Sequence, residues 1–162
     1  MRRIEPGPGQ ESVWDYPRPP ALEASAEHIV VVLGGQVVAD TRTAWRVLET
    51  SHPPTYYLPR AAFVPGALRE AAGTSYCEWK GVASYLDVLG GDRIALRKAR
   101  YYPTPTARYA ALAGHVALYP SAMDLCTVDG EEVQPQPGDF YGGWITSRVV
   151  GPFKGDPGTA YW

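Results

Sequence analysis

The sequence predicts a mainly β protein, folded as a compact antiparallel barrel or a folded-over sheet with one or two short helices. Short runs of β-branched and aromatic residues recur at close spacing, and turn residues separate them. The 17 glycines and 16 prolines are interspersed with 5 tryptophans and 11 tyrosines, whereas disordered chains are poor in aromatic residues. Many short strands with few helical segments are typical of an antiparallel sheet that folds over its own core.

The composition predicts a globular protein with a sizeable core. Of 162 residues, 45% are hydrophobic and 20% are charged, so the core needs neither a disulfide nor a metal. The formal net charge is −2 and the 15 lysines and arginines are scattered, which argues against a nucleic-acid-binding surface. The longest apolar run, Ile29 to Leu33, is much shorter than a membrane-spanning helix. We therefore expect no nucleic-acid partner and no membrane association.

The cysteines predict a reducing compartment. Cys77 and Cys126 are the two cysteines, they form no CxxC pair, and no signal-peptide pattern is present. Thiols of this kind are usual in cytoplasmic proteins. We expect a cytoplasmic location and two reduced thiols.

The chain divides into a short arm, residues 1–13, and one β-rich domain, residues 14–162. The first ten residues carry charge, proline and glycine without an apolar period, which predicts a surface arm. The run WDYPRPP, Trp14 to Pro20, has prolines that hold it extended and two aromatic residues that can anchor it. It is either a strap packed on the domain or an aromatic lid over a pocket, and we favour the strap.

A hairpin is the clearest local element. Two β-rich runs, His28 to Leu33 and Gln36 to Thr41, flank Gly34 and Gly35. A two-residue hairpin turn needs positive φ angles, which glycine adopts readily. The pattern therefore predicts an antiparallel hairpin at this point.

Two segments are candidates for short helices. Pro65 to Ala72 has proline near its start and Gly73 after its end, and Thr106 to Ala113 is followed by Gly114. The remaining β-rich runs predict further strands; one of them, Ala44 to Glu49, also suits a short helix. These strand candidates are Ala44 to Glu49, Tyr56 to Pro59, Arg93 to Tyr102, His115 to Tyr119, Leu125 to Val128, Glu131 to Gln134 and Trp144 to Val150.

Several separated motifs resemble one protein family. The runs WDYPRPP, VVADT, LETSHPPTYYLP, CEWKGVASY and FYGGW followed by GPFKGDPGT are similar, in order, to the bacterial domain of unknown function 427. The resemblance implies a single β-rich domain similar to the Mss4-like or tent folds. It implies no activity, because that family is uncharacterised.

The same family is sometimes grouped with nucleotidyltransferases, which would imply a nucleotide and a divalent metal. That chemistry needs closely spaced carboxylates beside a Gly-Ser turn, and neither pattern occurs in this sequence. The run Asp129 to Glu132 suits a hairpin turn instead, and the paired CxxC knuckles of zinc-binding relatives are missing. We expect no metal site and no cofactor.

The stretch TSYCEWKGVASY, Thr74 to Tyr85, is the predicted functional site. It has the pattern of a strand, a tight turn and a second strand, and it carries Cys77 and Lys80 among aromatic residues. A lysine in such a setting can pair with an anion, stack on a ring or act as a nucleophile, or else its stem packs while its ammonium stays hydrated. Cys77 is a candidate nucleophile, although free cysteines are more often buried hydrophobes. Lys80 is therefore the centre of the proposed site.

Acidic residues near turns supply a candidate general base. Glu49 is a possible base or partner of Lys80, with a solvated or turn-capping carboxylate as the alternative. His52 follows three residues later, but the prolines after it predict a turn rather than a metal-binding helix. Asp124 is either a further acid or a turn residue that accepts from main-chain N–H groups.

Aromatic residues could line a cavity for a flat or cationic ligand. We predict Tyr57, Tyr85 and Trp144 as ligand contacts, although aromatic residues on strands are more often core. The leading hypothesis is a small-molecule-binding domain, and whether it is also an enzyme stays open. The alternative is a non-catalytic module for protein interaction or self-association through Trp14 to Pro20 and Phe140 to Phe153. A nucleotidyltransferase is the third hypothesis.

Overall fold

The computed structural model describes residues 1–138 and 140–162, which form fifteen strands and four short 3₁₀ helices. The strands are β1 Glu11–Ser12, β2 Ala21–Ser25, β3 Ile29–Leu33, β4 Gln36–Thr41, β5 Ala44–Leu48, β6 Thr55–Pro59, β7 Leu68–Cys77, β8 Gly81–Gly90, β9 Arg93–Tyr101, β10 His115–Leu118, β11 Leu125–Val128, β12 Glu131–Glu132, β13 Gln134–Pro135, β14 Trp144–Ile145 and β15 Val149–Val150. The 3₁₀ helices are Val13–Asp15, Arg60–Ala62, Ala107–Leu112 and Pro120–Ala122.

Two antiparallel sheets dominate the architecture. The large sheet has seven strands in the order β2-β5-β6-β10-β9-β8-β7, and the small sheet has four in the order β12-β11-β3-β4. Among the described residues neither sheet closes into a barrel, so the folded-over sheet is the alternative that is confirmed. The mainly β class is confirmed as well.

The main core lies between the two sheets. Strand residues alternate between faces, so Val31 and Cys126 of the small sheet pack in one apolar cluster with Leu58 and Leu86 of the large sheet. A second cluster covers the opposite face of the large sheet and includes Tyr57 of β6. Part of this opposite face carries the pocket described below.

The predicted hairpin forms as expected, with β3 and β4 joined by Gly34 and Gly35 at φ angles of 61° and 75°. The short helix predicted over Thr106 to Ala113 is present as 3₁₀ turns over Ala107–Leu112, and the stretch Thr74 to Tyr85 forms part of the β7–β8 hairpin. The strap also packs: the indole N–H of Trp14 donates to the carbonyl oxygen of Pro152 at 2.9 Å.

Two local predictions are wrong. Pro65 to Ala72 is not a helix, because Gly66 forms a turn and β7 begins at Leu68, where it pairs with β8. A helix of two turns is marginal without tertiary packing, and pairing along a long strand outweighs its propensity. The single strand expected from Trp144 to Val150 is also wrong, since a turn separates β14 from β15 and the Val149 N–H donates to the Thr146 carbonyl oxygen at 3.2 Å.

The N-terminal segment is attached to the body by a cluster of charged groups. Arg46, fully buried on β5, donates to Glu23 at 2.5 Å and to Glu11 at 3.4 Å. Arg148 forms further ion pairs with Glu11 at 2.6 Å and with Glu27 at 3.1 Å. Strand β1 pairs in parallel with β15, so this end of the predicted arm has regular structure. The division at residue 13 stays a prediction.

No helix of the described residues has the length and apolar character needed to cross a membrane.

Candidate functional site

A pocket of about 520 Å³ lies on the face of the large sheet that points away from the small sheet. Strand side chains line it, among them Val47 of β5, Thr55 of β6, Tyr85 of β8 and Arg100 of β9. The lining also includes residues of the loop at 49–53, the β7–β8 turn at 78–80, Tyr119, Gln136, residues 140–142 and Lys154. The volume is within the range of small-molecule sites. We refer to it as the sheet pocket.

Strand register brings the wall residues together. Antiparallel pairing places Tyr85 opposite Arg100, and opposed residues share one face of a sheet. Tyr102 follows Arg100 by two positions and lines the same pocket. This part of the pocket wall is therefore built by the pairing of β8 with β9.

Lys80 occupies the turn between β7 and β8. Its side chain lines the pocket, and the residue is only 8% exposed. The ammonium Nζ lies 5.6 Å from the centroid of the Tyr102 ring and makes no hydrogen bond or ion pair with any described residue. The main chain is held in place because the Thr106 N–H donates to the Lys80 carbonyl oxygen at 3.1 Å. The structure thus places at the pocket a largely buried lysine that has no hydrogen-bond or ion-pair partner for its ammonium among the described residues.

Glu49 also lines the pocket, but its partner is Arg18 rather than Lys80. The carboxylate Oε2 accepts from Arg18 Nε at 3.2 Å and lies 3.0 Å from Arg18 Nη2. Arg18 belongs to the WDYPRPP strap, so the strap reaches the edge of the pocket through this ion pair.

Cys77 and Tyr85 line the pocket from neighbouring strands. Cys77 is a half-buried free thiol at the end of β7 and packs against the second apolar cluster. The Tyr85 hydroxyl donates to Ser75 Oγ at 2.8 Å, and the Arg97 guanidinium lies 4.7 Å from the Tyr85 ring centroid. These contacts orient the Tyr85 ring.

Tyr57 and Trp144 lie in the core rather than in the pocket. The ring centroids of Trp144 and Tyr56 lie 5.1 Å apart, in the core between the sheets. Tyr57 is fully buried on the pocket side of the large sheet. Four of the six residues predicted from the sequence, Glu49, Cys77, Lys80 and Tyr85, therefore share the pocket, whereas these two do not.

Arg100 is the main residue that sequence reasoning missed. Its Nη1 donates to the Tyr119 hydroxyl at 3.0 Å, while its Nε and the Tyr57 hydroxyl are buried without a hydrogen-bond partner among the described residues. Burial alone would lower the pKa of Arg100, but neighbouring hydroxyls, Tyr57 foremost, raise it above its ordinary value. An arginine stays protonated in proteins, so Arg100 is a cation whose described hydrogen-bond partner, Tyr119, is a neutral phenol.

His52 is a second residue of the site that the sequence analysis missed, because the prolines after it predicted a turn and not a functional role. Its Nδ1 lies 3.0 Å from the Thr50 carbonyl oxygen, which assigns the proton to Nδ1 and leaves Nε2 as an acceptor. Burial, with help from Lys154 and Arg18, lowers the pKa of His52. His52 is therefore a neutral imidazole at neutral pH, in contact with the Tyr141 ring at 5.1 Å.

Residues near the C terminus line the remaining part of the pocket. A side chain at Gly142 would meet the Tyr119 ring at 2.7 Å, so glycine permits the main chain to pass this close to the wall. The Lys154 ammonium donates to the main-chain oxygen of Trp162 at 3.1 Å and lies 5.7 Å from the Tyr141 ring centroid.

Part of the evidence for the position of Arg100 is present in the sequence. The run from Arg93 to Tyr102 was predicted as a strand, and alternation places Arg100 and Tyr102 on one face. Which face is turned toward a pocket depends on the pairing of β9 with β8 and β10, and no local pattern reveals that pairing.

Other acidic candidates have structural partners. Asp124 Oδ2 accepts from the Gly35 N–H at 3.0 Å, and Glu131 accepts from the main chain and hydroxyl of Ser147 at 2.6 Å. Within residues 1–138 and 140–162, no group of three or more His, Cys, Asp or Glu side chains is placed to hold a metal ion.

Comparison with known protein families gives one match. Residues 21–129, more than half of the chain, match the family described as a domain of unknown function (DUF427). This range includes the β7–β8 turn, which carries Lys80, and strand β9, which carries Arg100. No curated protein matches the chain.

Proposed function

The chain belongs to the domain of unknown function 427 family, and because that description carries no activity, we propose a function from the pocket: the protein binds a small organic molecule in the sheet pocket. The observation that carries this proposal is the position of Glu49, Cys77, Lys80 and Tyr85 around one cavity of about 520 Å³. These residues come from a loop, two strands and the turn between them. Polar groups that converge on one cavity are typical of a ligand-binding site.

The lining is suited to binding. Ligand pockets are mostly apolar and aromatic with a few polar groups that fix orientation. Here Trp79, Tyr102 and Tyr119 supply flat apolar surface, and Lys80 and His52 supply a donor and an acceptor. Lys80, Cys77 and His52 are also side chains that can take part in catalysis, so an enzymatic role is the natural extension of this proposal.

The interaction-module alternative has less support. Trp14 packs edge to face against Trp162 at 5.1 Å, Tyr16 is buried, and Trp144 is in the core. These three aromatic residues therefore pack within the domain, whereas Phe140 of the same predicted surface is exposed. The nucleotidyltransferase alternative lacks a carboxylate cluster among the described residues. A cytoplasmic location remains part of the proposal, and the free thiols of Cys77 and Cys126 agree with it.

A pair of variants tests the proposal. Ser75 and Thr74 are adjacent exposed residues of β7, and of the two only Ser75 lines the pocket. We expect Ser75→Trp to fill the pocket and Thr74→Trp to leave it open. In a thermal-shift screen of metabolites, a ligand that binds the pocket raises the melting temperature by mass action. The shift should occur in the wild type and Thr74→Trp and be lost in Ser75→Trp.

Two results would count against the proposal. An equal shift in all three proteins would place binding outside the sheet pocket. No shift with any compound, although both variants fold, would remove the support for a small-molecule site.

A further inference from the structure

The charges around the sheet pocket do not balance. Among residues 1–138 and 140–162, three cations line it, Lys80, Arg100 and Lys154, against two carboxylates, Glu49 and Glu78. Glu49 is already paired with Arg18, which lies outside the lining, and Glu78 is exposed. The groups that remain on the wall are therefore predominantly positive.

Arg100 and Lys80 both line the pocket, and neither forms an ion pair with a described residue. Arg100 donates to a neutral hydroxyl, that of Tyr119, and its Nε has no partner. Lys80 is largely buried and contacts the ring of Tyr102, which also neighbours Arg100. A buried charge without a counter-charge is unfavourable, and a bound anion would offset that cost.

The remaining wall defines the body of the ligand. Trp79, Tyr102, Tyr119 and Tyr141 line the same cavity, and aromatic walls favour flat apolar groups. A cationic ligand suits this wall less well, because Glu49 is already paired with Arg18 and Glu78 is exposed to solvent.

We propose that the ligand of the sheet pocket is a small molecule with a planar aromatic body and an anionic group, either a carboxylate or a phosphate ester. Its anionic group contacts Lys80 and is also attracted by the positive charge of Arg100. This inference rests on the proposed function, since it names the class of molecule that the pocket binds. Carboxylates and phosphates share the negative oxygens that lysine and arginine recognise. The burial of Lys80 strengthens the attraction, because charges interact more strongly away from bulk water.

Matched probe pairs test the ligand class. Benzoate and phenyl phosphate are compared with the neutral benzamide and benzyl alcohol by NMR titration of the full chain. We expect the anions to bind at least about tenfold more tightly than the neutral compounds, as charge-assisted hydrogen bonds do. Tighter binding of phenyl phosphate than of benzoate would assign the phosphate class, and the reverse order would assign the carboxylate class.

A pair of lysine variants tests the contact. Lys80→Met keeps the length of the side chain and removes its charge, and Lys98→Met removes the same charge from a lysine that does not line the pocket. We expect Lys80→Met to weaken anion binding about tenfold or more while benzamide binding changes less than about twofold. Lys98→Met should leave both affinities near the wild-type values. Equal loss in the two variants would mean a general effect of charge and would overturn the assigned contact.

The other outcomes separate this inference from the proposed function. Binding of the neutral probes as tight as that of the anions would overturn the oxyanion and leave the small-molecule site in place. No binding of either set would count against both.

Discussion

At the scale of single residues, His52 makes the stability of the folded protein depend on pH. Its pKa is lowered chiefly by burial, so the folded state holds it neutral while the unfolded state takes up a proton near pH 6.5. The unfolded chain then binds more protons than the folded chain, and the free energy of unfolding decreases as the pH falls below about 6.5. His52→Asn keeps a donor for the Thr50 carbonyl oxygen and should remove this part of the pH dependence. Urea unfolding at about pH 7.5 and pH 5 measures the difference.

His115 provides the control for this prediction, because its Nδ1 also lies 3.0 Å from a main-chain oxygen, that of Ala113, outside the pocket. His115→Asn should leave the pH dependence of the wild type in place. The interpretation of His52 would be abandoned if His52→Asn and the wild type lost stability equally between the two pH values.

At the scale of elements, a bulge in β9 maintains the register that builds the pocket wall. Leu86 pairs with Ala99, but Val88 pairs with Ala95, so three residues of β9 lie opposite Asp87. Arg97, in the middle of this bulge, has a φ of 56°. Asp87 is buried, and its Oδ1 accepts from the Arg97 N–H at 2.8 Å.

Removal of the Asp87 carboxylate should loosen this bulge. Asp87 Oδ2 also accepts from Arg69 Nε at 3.0 Å and Nη2 at 2.8 Å, and the hydrogen bonds from Arg97 and Arg69 lower the pKa of Asp87. We expect Asp87→Ala to reduce the free energy of unfolding by roughly 1–3 kcal/mol. In the wild type this stabilisation is present above about pH 3.8 and is lost as the pH falls through the lowered pKa. Chemical denaturation is the measurement.

Asp92 is the matched position, an exposed aspartate in the turn of the same hairpin. Asp92→Ala should change stability by less than about 0.5 kcal/mol. Equal effects at the two positions would show that Asp87 does not support the bulge.

At the scale of the whole molecule, the two sheets meet at their turns. Gly34, in the β3–β4 turn, lies so close to the β8–β9 turn that a methyl group there would overlap the Gly90 carbonyl oxygen. Gly35 has a similar positive φ, but a methyl group on it would meet no atom within 4 Å. Gly35→Ala should cost about 1–2 kcal/mol from backbone conformation alone. Gly34→Ala should cost roughly a further 1–3 kcal/mol, because the contact between the sheets must open.

Thermal and urea unfolding of the two alanine variants measure this difference. Because both glycines have positive φ angles, the comparison separates the contact between the sheets from the strain of the turn. Equal destabilisation would mean that the turns can separate without cost, and the close approach would then contribute nothing to the packing of the sheets.

Much of the site was predictable in its parts. Cys77, Lys80 and Tyr85 belong to one stretch whose hairpin pattern is local, and Glu49 precedes a turn marked by prolines. Arg100 and His52 were not assigned roles at a pocket, because they reach it only when strands and loops from distant segments pair. The face of Tyr57 was also undetermined, since Tyr56 and Tyr57 are adjacent and opposite in direction.

The sequence by itself determined the mainly β class, the Gly34-Gly35 hairpin and the strands of the β7–β8 stretch, since turn residues and alternation act over a few neighbouring positions. Only the tertiary structure decided that the Pro65 to Ala72 segment is a turn followed by a strand, which side of each strand is core, and that Arg100 and Lys80 share a cavity. Those outcomes depend on strand register and on contact between sheets. Both are set by packing energies between residues far apart in the chain, which no local pattern contains.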